Sequence, residues 1–244
     1  MKKRIALILT GTMLMGLALS ACGDNEGTAK NAEKTESSVE TSSNANNRST
    51  FTVGFDAEYP PYGYMDENGE YTGFDLELAE AVCKLEGWEL MKKPINWDAK
   101  DMELNSGSID CIWNGFTMNG REDEYTFSTP YVDNSQVIVV AEDSGINTLE
   151  DLAGKTVGVQ AASAALELLQ SDEKDGQKAL ADTFGALNEF ADYNTAFTEL
   201  QAGALDALAI DIGVANYQIK SRGEGYKILE KTLNTEQYAI AFKK

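Results

Sequence analysis

The sequence contains no histidine, and basic residues are scarce: 20 Lys and Arg stand against 40 Asp and Glu, which gives a formal net charge of −20. Histidine is the commonest general base and metal ligand, so its absence excludes Ser-His-Asp and Cys-His catalysis. A chain this acidic repels the phosphates of nucleic acids. We therefore expect no nucleic-acid partner, no metal site and no cofactor.

An apolar run from residue 5 to about residue 19 follows Lys2, Lys3 and Arg4. A basic start before a short apolar segment is typical of a secretory signal, and the run is too short for a membrane span of about 20 residues. The alternative is a permanent N-terminal anchor helix. The residues LSAC at 19–22 resemble the bacterial lipobox, in which cleavage before the cysteine leaves a thiol that receives diacylglycerol. We expect residues 1–21 to be a lipoprotein signal peptide and Cys22 to carry the lipid.

Residues 23 to about 50 contain no aromatic side chain and a single Val. A segment with so little apolar surface cannot order itself, so residues 22–50 are predicted to be the lipidated Cys and a disordered tether. Acyl chains such as palmitate anchor a protein because each buried CH₂ contributes about 0.8 kcal/mol. We expect the remaining domain, 51–244, to lie outside the cytoplasm, lipid-anchored to the bacterial cell membrane.

Short apolar strands alternate with helical patterns from residue 51 onward, which predicts an α/β fold of mostly parallel sheets with helices on both faces. The predicted strands are 51–55, 109–113, 156–159 and 206–210, and the predicted helices are 75–85, 98–106, 163–171, 194–202 and 212–219. Two further cysteines, Cys83 and Cys111, fall on a helix and a strand. They either form a disulfide or remain buried thiols.

One short pattern occurs twice: ELNSGSID at 103–110 and ELQAGALD at 199–206 share Glu, Leu, Gly and Asp, 96 residues apart. We interpret the pair as two related lobes, although such helix-Gly-strand joints also arise by chance. Ligands bind beyond the carboxyl ends of strands in open α/β sheets. Arg121 follows the first repeated strand and Asp211 the second. A free amino acid needs such a pair for its carboxylate and its ammonium.

Several other stretches carry a family likeness: VGFDAEYPPYGY at 53–64, YTGFDL at 71–76, INWD at 95–98, IWNGFT at 112–117, FSTPY at 127–131, LAGKTVGVQ at 152–160 and LDALAID at 205–211. Together with Arg121, they resemble the family 3 extracellular solute-binding proteins, the polar amino-acid-binding components of ABC importers. The likeness runs from about residue 51 to the end of the chain.

The resemblance implies a two-lobed, periplasmic-binding-protein-like (type II) fold. Lobe 1 would comprise about 51–139 plus 237–244, and lobe 2 about 142–230. The two crossings between them would lie near residues 140–142 and 232–237. Family members continue past the last strand, so we expect this chain to lack their C-terminal helices and to expose the apolar surface that those helices cover.

The resemblance also implies residues for the two charged ends of the ligand. Arg121 would bind the carboxylate, because a guanidinium engages it bidentately and never deprotonates. The alternative is a surface Arg paired with Glu122 or Asp123. Asp211 would receive the ammonium, and the alternative for Asp211 is an N-cap of the following helix.

Further carboxylate contacts are implied for the Thr117 hydroxyl, the main chain of Gly115 and Ser163, although Ser163 could equally cap a helix.

Four residues are implied for the ligand side chain. Tyr59 and Trp97 would sandwich it between aromatic rings, although either could instead belong to the core. Asn114 would contact it, and Asp56 would lie near its distal end and favour amide or cationic groups.

The resemblance finally implies a binding protein without catalysis, which would work as a monomer and deliver a polar or cationic amino acid to an ABC transporter permease. Cationic, amide and sulfur-containing amino acids all remain open as ligands. One alternative is an enzyme on the same scaffold, such as a cyclic amino-acid dehydratase, for which Asp56 and Glu58 are the candidate general acids. Another alternative is a sensor module.

Overall fold

The computed structural model describes residues 49–223 and 225–244. The predicted signal peptide at 1–21, the predicted lipidation site Cys22 and the tether up to residue 48 lie outside the described residues. Within those residues, no helix has both the length and the apolar character needed to cross a membrane.

The described chain alternates strands and helices as the sequence predicts. The strands are β1 (Thr50–Phe55), β2 (Glu58–Tyr59), β3 (Gly63–Met65), β4 (Tyr71–Thr72), β5 (Glu89–Pro94), β6 (Cys111–Ile112), β7 (Tyr125–Phe127), β8 (Val132–Ala141), β9 (Thr156–Gln160), β10 (Ala186–Phe190), β11 (Ala207–Asp211), β12 (Tyr226–Ile228), β13 (Asn234–Tyr238) and β14 (Ala241–Lys243). The helices are α1 (Phe74–Glu86), α2 (Lys100–Ser106), α3 (Ala164–Gln170), α4 (Lys178–Ala181), α5 (Tyr193–Gln201) and α6 (Ile212–Arg222), with 3₁₀ turns at Trp97–Ala99 and Leu149–Leu152.

The first lobe is built on a five-stranded sheet in the order β5-β1-β6-β14-β7. Alternate residues of β1 point to one face, where Phe51, Val53 and Phe55 pack with the buried side of α1. The opposite face of the sheet is covered by α2 through a cluster that includes Leu104 and Ile112. Both faces of the central strands are therefore buried.

The second lobe is built on a six-stranded sheet in which β10-β9-β11-β8-β12 form the main path and β13 also pairs with β8. Helices α3, α5 and α6 pack on it. A small three-stranded sheet of β2, β3 and β4 lies beside these two.

Each large sheet has a parallel part and an antiparallel part, so the prediction of mostly parallel sheets is correct only for β5-β1-β6 and β10-β9-β11. The strands β14, β8, β12 and β13 run antiparallel to their neighbours. The reason is connectivity: β8 and β14 are entered directly from the other sheet, without the helical crossover that parallel pairing of consecutive strands requires.

The positions of the two crossings differ from the sequence prediction. Strand β8 pairs with β13 from its first residue, with Val132 opposite Tyr238, and further along it pairs with β11 and β12. The chain therefore leaves the first sheet after Phe127 and returns to it between Tyr238 and Ala241. The predicted crossing at 140–142, and with it the predicted end of lobe 1 at 139, is wrong. The apolar run that ends β8 suits a buried strand of either sheet, and its partners come much later in the chain.

Large apolar side chains are exposed on the first lobe: Phe74 and Leu85 on α1, Met91 on β5 and Met102 on α2.

Cys83 and Cys111 are both buried and are not joined by a disulfide.

Candidate functional site

The residues that the sequence singles out lie where strands of the two large sheets end, and there the two lobes contact each other. Asp56 follows β1 and Gln160 ends β9; the Gln160 amide donates a hydrogen bond to Asp56 Oδ2 at 2.6 Å. Lys100, at the start of α2, donates to the carbonyl oxygen of Ala162 at 3.2 Å. The carboxyl ends of strands from both sheets thus face one cleft, as expected for open α/β sheets.

Asp211 is the last residue of β11 and is almost fully buried. Its Oδ1 accepts hydrogen bonds from Asn134 Nδ2 at 2.7 Å, Gln136 Nε2 at 2.7 Å and the Tyr238 hydroxyl at 2.5 Å. Asp211 occupies the N-cap position of α6, as the alternative predicts, but its side chain makes no capping hydrogen bond to that helix. Burial, and then the charge of Glu236, raise the pKa of Asp211 to about 6.

Glu236 is a second buried carboxylate that the sequence reasoning missed. Its Oε1 accepts hydrogen bonds from the Thr117 hydroxyl at 2.7 Å and from the Asn134 and Gln136 amides at 2.8 Å. The two amides therefore bridge Asp211 and Glu236. Asn134 and Gln136 are two residues apart and both buried in the polar first half of β8, so they share one face of the strand.

Tyrosines enclose Asp211. The Tyr59 ring lies 6.1 Å from that of Tyr193, and the Tyr62 ring lies 5.3 Å from that of Tyr238, measured between centroids. Burial raises the pKa of Tyr59, Tyr193 and Tyr238 well above the usual value, so these phenols remain protonated and neutral. Tyr59 thus contributes to the wall around Asp211.

Arg121 is 5% exposed, and its guanidinium reaches across to the second lobe. Nε and Nη2 donate to Glu167 Oε2 and Oε1 at 3.1 and 2.7 Å. The alternative of a surface Arg paired with Glu122 or Asp123 is therefore wrong. The Arg121 Cζ lies 4.6 Å from the centre of the Phe116 ring, so an aromatic face supports the guanidinium.

The other residues predicted for the carboxylate are engaged in different ways. The Thr117 hydroxyl is bound to Glu236, while its carbonyl oxygen accepts from Arg121 Nη1 at 3.4 Å. The Ser163 hydroxyl accepts a hydrogen bond from the Leu166 N–H at 3.2 Å and caps α3. Helix capping is one of the two roles predicted for Ser163.

Gly115 has a specific structural role beside this site. Its φ is +57°, and a Cβ there would lie within about 3.1 Å of the Tyr59 and Tyr238 rings, so only glycine fits. Its N–H donates to Asp75 Oδ2 at 2.5 Å, which differs from the prediction that its main chain binds the ligand. Burial raises the pKa of Asp75 to about 7.

Asn114 is buried, and its amide forms no hydrogen bond to any described residue. Trp97 is half-buried, and its ring lies 5.8 Å from Phe116. Tyr59 packs in a different cluster, so the structure does not bring these two aromatics together as a ring pair.

A cavity of about 810 Å³ opens between Trp97 and the ends of β1, β9 and β10. Asp56 lies at its margin, and burial, followed by weaker effects that include the charges of Asp192 and Glu58, raises the pKa of Asp56 to about 6. None of the described residues that line the cavity is Lys or Arg. Its lining includes six carboxylates: Asp56, Glu58, Asp98, Glu103, Glu189 and Asp192. The cavity is suited to a cationic or hydrogen-bond-donating group.

A cleft between two α/β lobes, with a guanidinium and a buried carboxylate on its opposing walls, defines a solute-binding protein. The profile of the bacterial extracellular solute-binding proteins, family 3, matches residues 51–235, and the chain belongs to this family. The L-cystine-binding protein TcyJ of Escherichia coli (strain K12) is 29% identical over 200 residues, which cover 81% of this chain and 72% of that protein. The arginine-binding extracellular protein ArtP of Bacillus subtilis (strain 168) is 29% identical over 248 residues, covering 100% of this chain and 87% of ArtP.

Solved structures agree with this assignment. A substrate-binding protein of an ABC uptake transporter from Streptococcus pneumoniae, with bound histidine, is 35% identical with a TM-score of 0.75, and the match covers 80% of each chain. An ancestral arginine-binding protein bound to glutamine is 37% identical with a TM-score of 0.72, and the match covers 81% of this chain and 85% of that one.

Proposed function

We propose that this chain is an extracytoplasmic lipoprotein that captures a polar or cationic amino acid between its lobes and delivers it to an ABC-type importer. One observation carries the proposal: Arg121 and Asp211 stand on different lobes and belong to one hydrogen-bonded chain. Arg121 donates to the Thr117 carbonyl, the Thr117 hydroxyl donates to Glu236, and the amides of β8 bridge Glu236 and Asp211.

A free amino acid matches this arrangement because it carries both charges on one carbon atom. Its carboxylate would accept two hydrogen bonds from the Arg121 guanidinium, and its ammonium would donate to the Asp211 carboxylate. Contact with both lobes would favour the closed form, since a ligand stabilises the state in which it makes more contacts.

The acidic cavity beside Asp56 supports the ligand class. A cationic or amide side chain directed into it would meet Trp97 and the carboxylates of its lining. Relatives named for cystine, arginine and histidine, and a solved relative bound to glutamine, fit the same class.

We propose no catalytic step for this cleft. The permease would recognise the closed form, and acylation at Cys22 would hold the chain at the membrane that contains the permease.

A thermal-shift screen of the purified chain against the twenty amino acids and cystine tests the proposal, followed by calorimetry on each compound that raises the melting temperature. We expect stabilisation by one or a few polar or cationic amino acids, because binding to the folded state alone raises stability. Stabilisation by none of them would contradict the proposal. Conversion of an added amino acid into a product would instead favour an enzyme.

A further inference from the structure

Lys100 is a buried cation, only 4% exposed, at the first position of α2. Its ammonium can donate three hydrogen bonds. Within residues 49–223 and 225–244, the carbonyl oxygen of Ala162 is its one hydrogen-bond acceptor, and no carboxylate oxygen forms an ion pair with it. Asp98, Asp101 and Glu167 act on it only from a greater distance.

This position is unfavourable for a positive charge. Burial, and then the charge of Arg121, lower the pKa of Lys100 despite the attraction of the three carboxylates. Buried charges in proteins are normally paired, because an uncompensated one leaves its desolvation penalty unopposed. A lysine needed only for its aliphatic stem would extend its head to water. Lys100 instead directs its head into the cleft.

Lys100 and Arg121 stand side by side on an aromatic surface of the first lobe. The rings of Trp97 and Phe116 lie 5.8 Å apart, with the Lys100 ammonium 5.4 Å from the first centroid and the Arg121 guanidinium carbon 4.6 Å from the second. Both cations reach the same end of α3: Lys100 contacts the carbonyl just before it, and Arg121 contacts Glu167 in its first turn. Of these two cations, Arg121 is paired with a carboxylate, Glu167, whereas Lys100 contacts a carbonyl oxygen.

We propose that Lys100 is a second carboxylate-binding residue, which holds the α-carboxylate of the amino acid together with Arg121. The proposal rests on the proposed function and deepens it. A carboxylate has two oxygens with about four acceptor positions, so it can accept hydrogen bonds from a guanidinium and from an ammonium at the same time. Its arrival supplies the paired negative charge that Lys100 lacks.

The test compares amino acids with their α-carboxamides, which keep the side chain and the ammonium but lose the negative charge. The probes are L-arginine, L-histidine and L-glutamine against L-argininamide, L-histidinamide and L-glutaminamide, measured by calorimetry on the wild-type chain and on Lys100→Met. We expect Lys100→Met to weaken the binding of the acids by about tenfold or more and that of the carboxamides by less than about twofold.

The melting temperature without ligand supplies a second readout. Because Met retains the apolar stem and removes an uncompensated buried charge, Lys100→Met should melt at the wild-type temperature or above. Lys93→Met is the matched control. Lys93 lies on β5 and is paired with Glu103, which lines the acidic cavity beside Asp56. The loss of Lys93 should leave all six affinities within about twofold. If Lys100→Met does not fold, Lys100→Gln removes the same charge and should show the same split.

Three outcomes would overturn the proposal. Equal losses for acids and carboxamides would make Lys100 a structural residue, and unchanged affinities would place it outside the site. A gain in L-arginine affinity would show that Lys100 only repels cationic ligands. A wild-type chain that binds none of the twenty amino acids and no cystine would instead overturn the proposed function, so the two failures are distinguishable.

Discussion

Arg121 and Glu167 meet in a two-point contact across the lobes, with Nη2–Oε1 at 2.7 Å and Nε–Oε2 at 3.1 Å. The Glu167 side chain is 54% exposed, whereas that of Arg121 is 6% exposed. A carboxylate of the chain itself thus lies on the guanidinium to which we assign the ligand carboxylate.

Glu167→Gln should therefore strengthen amino-acid binding. Glu167 competes with the ligand for Arg121, and an amide competes less well because it carries no charge. We expect calorimetry to show an affinity gain of about threefold or more for whichever amino acid the wild-type chain binds. Glu173→Gln, just beyond α3, serves as the control. Weaker binding in Glu167→Gln would instead mean that Glu167 assists closure of the lobes.

Arg121→Ala should weaken binding by at least about tenfold, since a hydrogen bond to a charged group contributes about 1.5–3 kcal/mol and tenfold requires about 1.4 kcal/mol. Arg222→Ala, which removes an arginine of α6 in the second lobe, is a matched control and should keep the wild-type affinity. An unchanged affinity in Arg121→Ala would show that the carboxylate binds elsewhere.

Asp211→Asn should also weaken binding by about tenfold or more, because the amide cannot neutralise an ammonium. The pKa of Asp211 is about 6, so wild-type affinity should fall as the pH drops below about 6 and the carboxylate becomes protonated. Calorimetry between about pH 5 and pH 8 checks both points. A pH-independent affinity would contradict the role of Asp211.

Thermal stability should rise as the pH falls from about 7.5 to about 5. Burial raises the pKa of Asp56 and Asp211 to about 6 and that of Asp75 to about 7, so the folded chain binds more protons than the unfolded chain in this range. The stability contributed by these groups is complete below the unfolded pKa near 3.8 and is lost as the pH rises through 6 to 7. Asp75→Asn should flatten the dependence in melting experiments. A melting temperature that falls steadily from pH 7.5 to pH 5 would be inconsistent with these buried acids.

Acylation at Cys22 is a prediction that lies outside the described residues. Labelling of cells with a fatty-acid analogue should mark the wild-type chain, and Cys22→Ala should abolish the label. Retention of the label in Cys22→Ala would place the lipid on another residue.

The sequence predicts the local features of the fold well. Helix α1 ends at Gly87 and α2 at Gly107, both in the left-handed conformation, as the glycines at these positions predict. The strand ends that carry Asp56 and Asp211 are likewise visible as apolar runs that stop at an acid. These features depend on neighbouring residues, so they are encoded locally.

Pairings between distant segments were not predictable in the same way. The assignment of β8 to the second sheet depends on β11, β12 and β13, which come about 70 to 100 residues later. Glu167 and Lys100 look like ordinary charged helix residues in the sequence, and only the approach of α2 to α3 brings them into the cleft. Glu236 was missed for the same reason, since its donors Thr117 and Gln136 are 119 and 100 residues away.

The network around Asp211 is built largely on β8, where the chain enters the second sheet, and β13, from which it returns to the first. Asn134 and Gln136 lie on β8, and Glu236 and Tyr238 lie on β13. The residues that hold Asp211, the proposed ammonium acceptor, therefore lie next to both connections between the lobes. We expect evolutionary changes of ligand preference to concentrate at the opposite end of the cleft, around Asp56 and Trp97. A substitution there can alter selectivity without altering the segments that connect the two lobes.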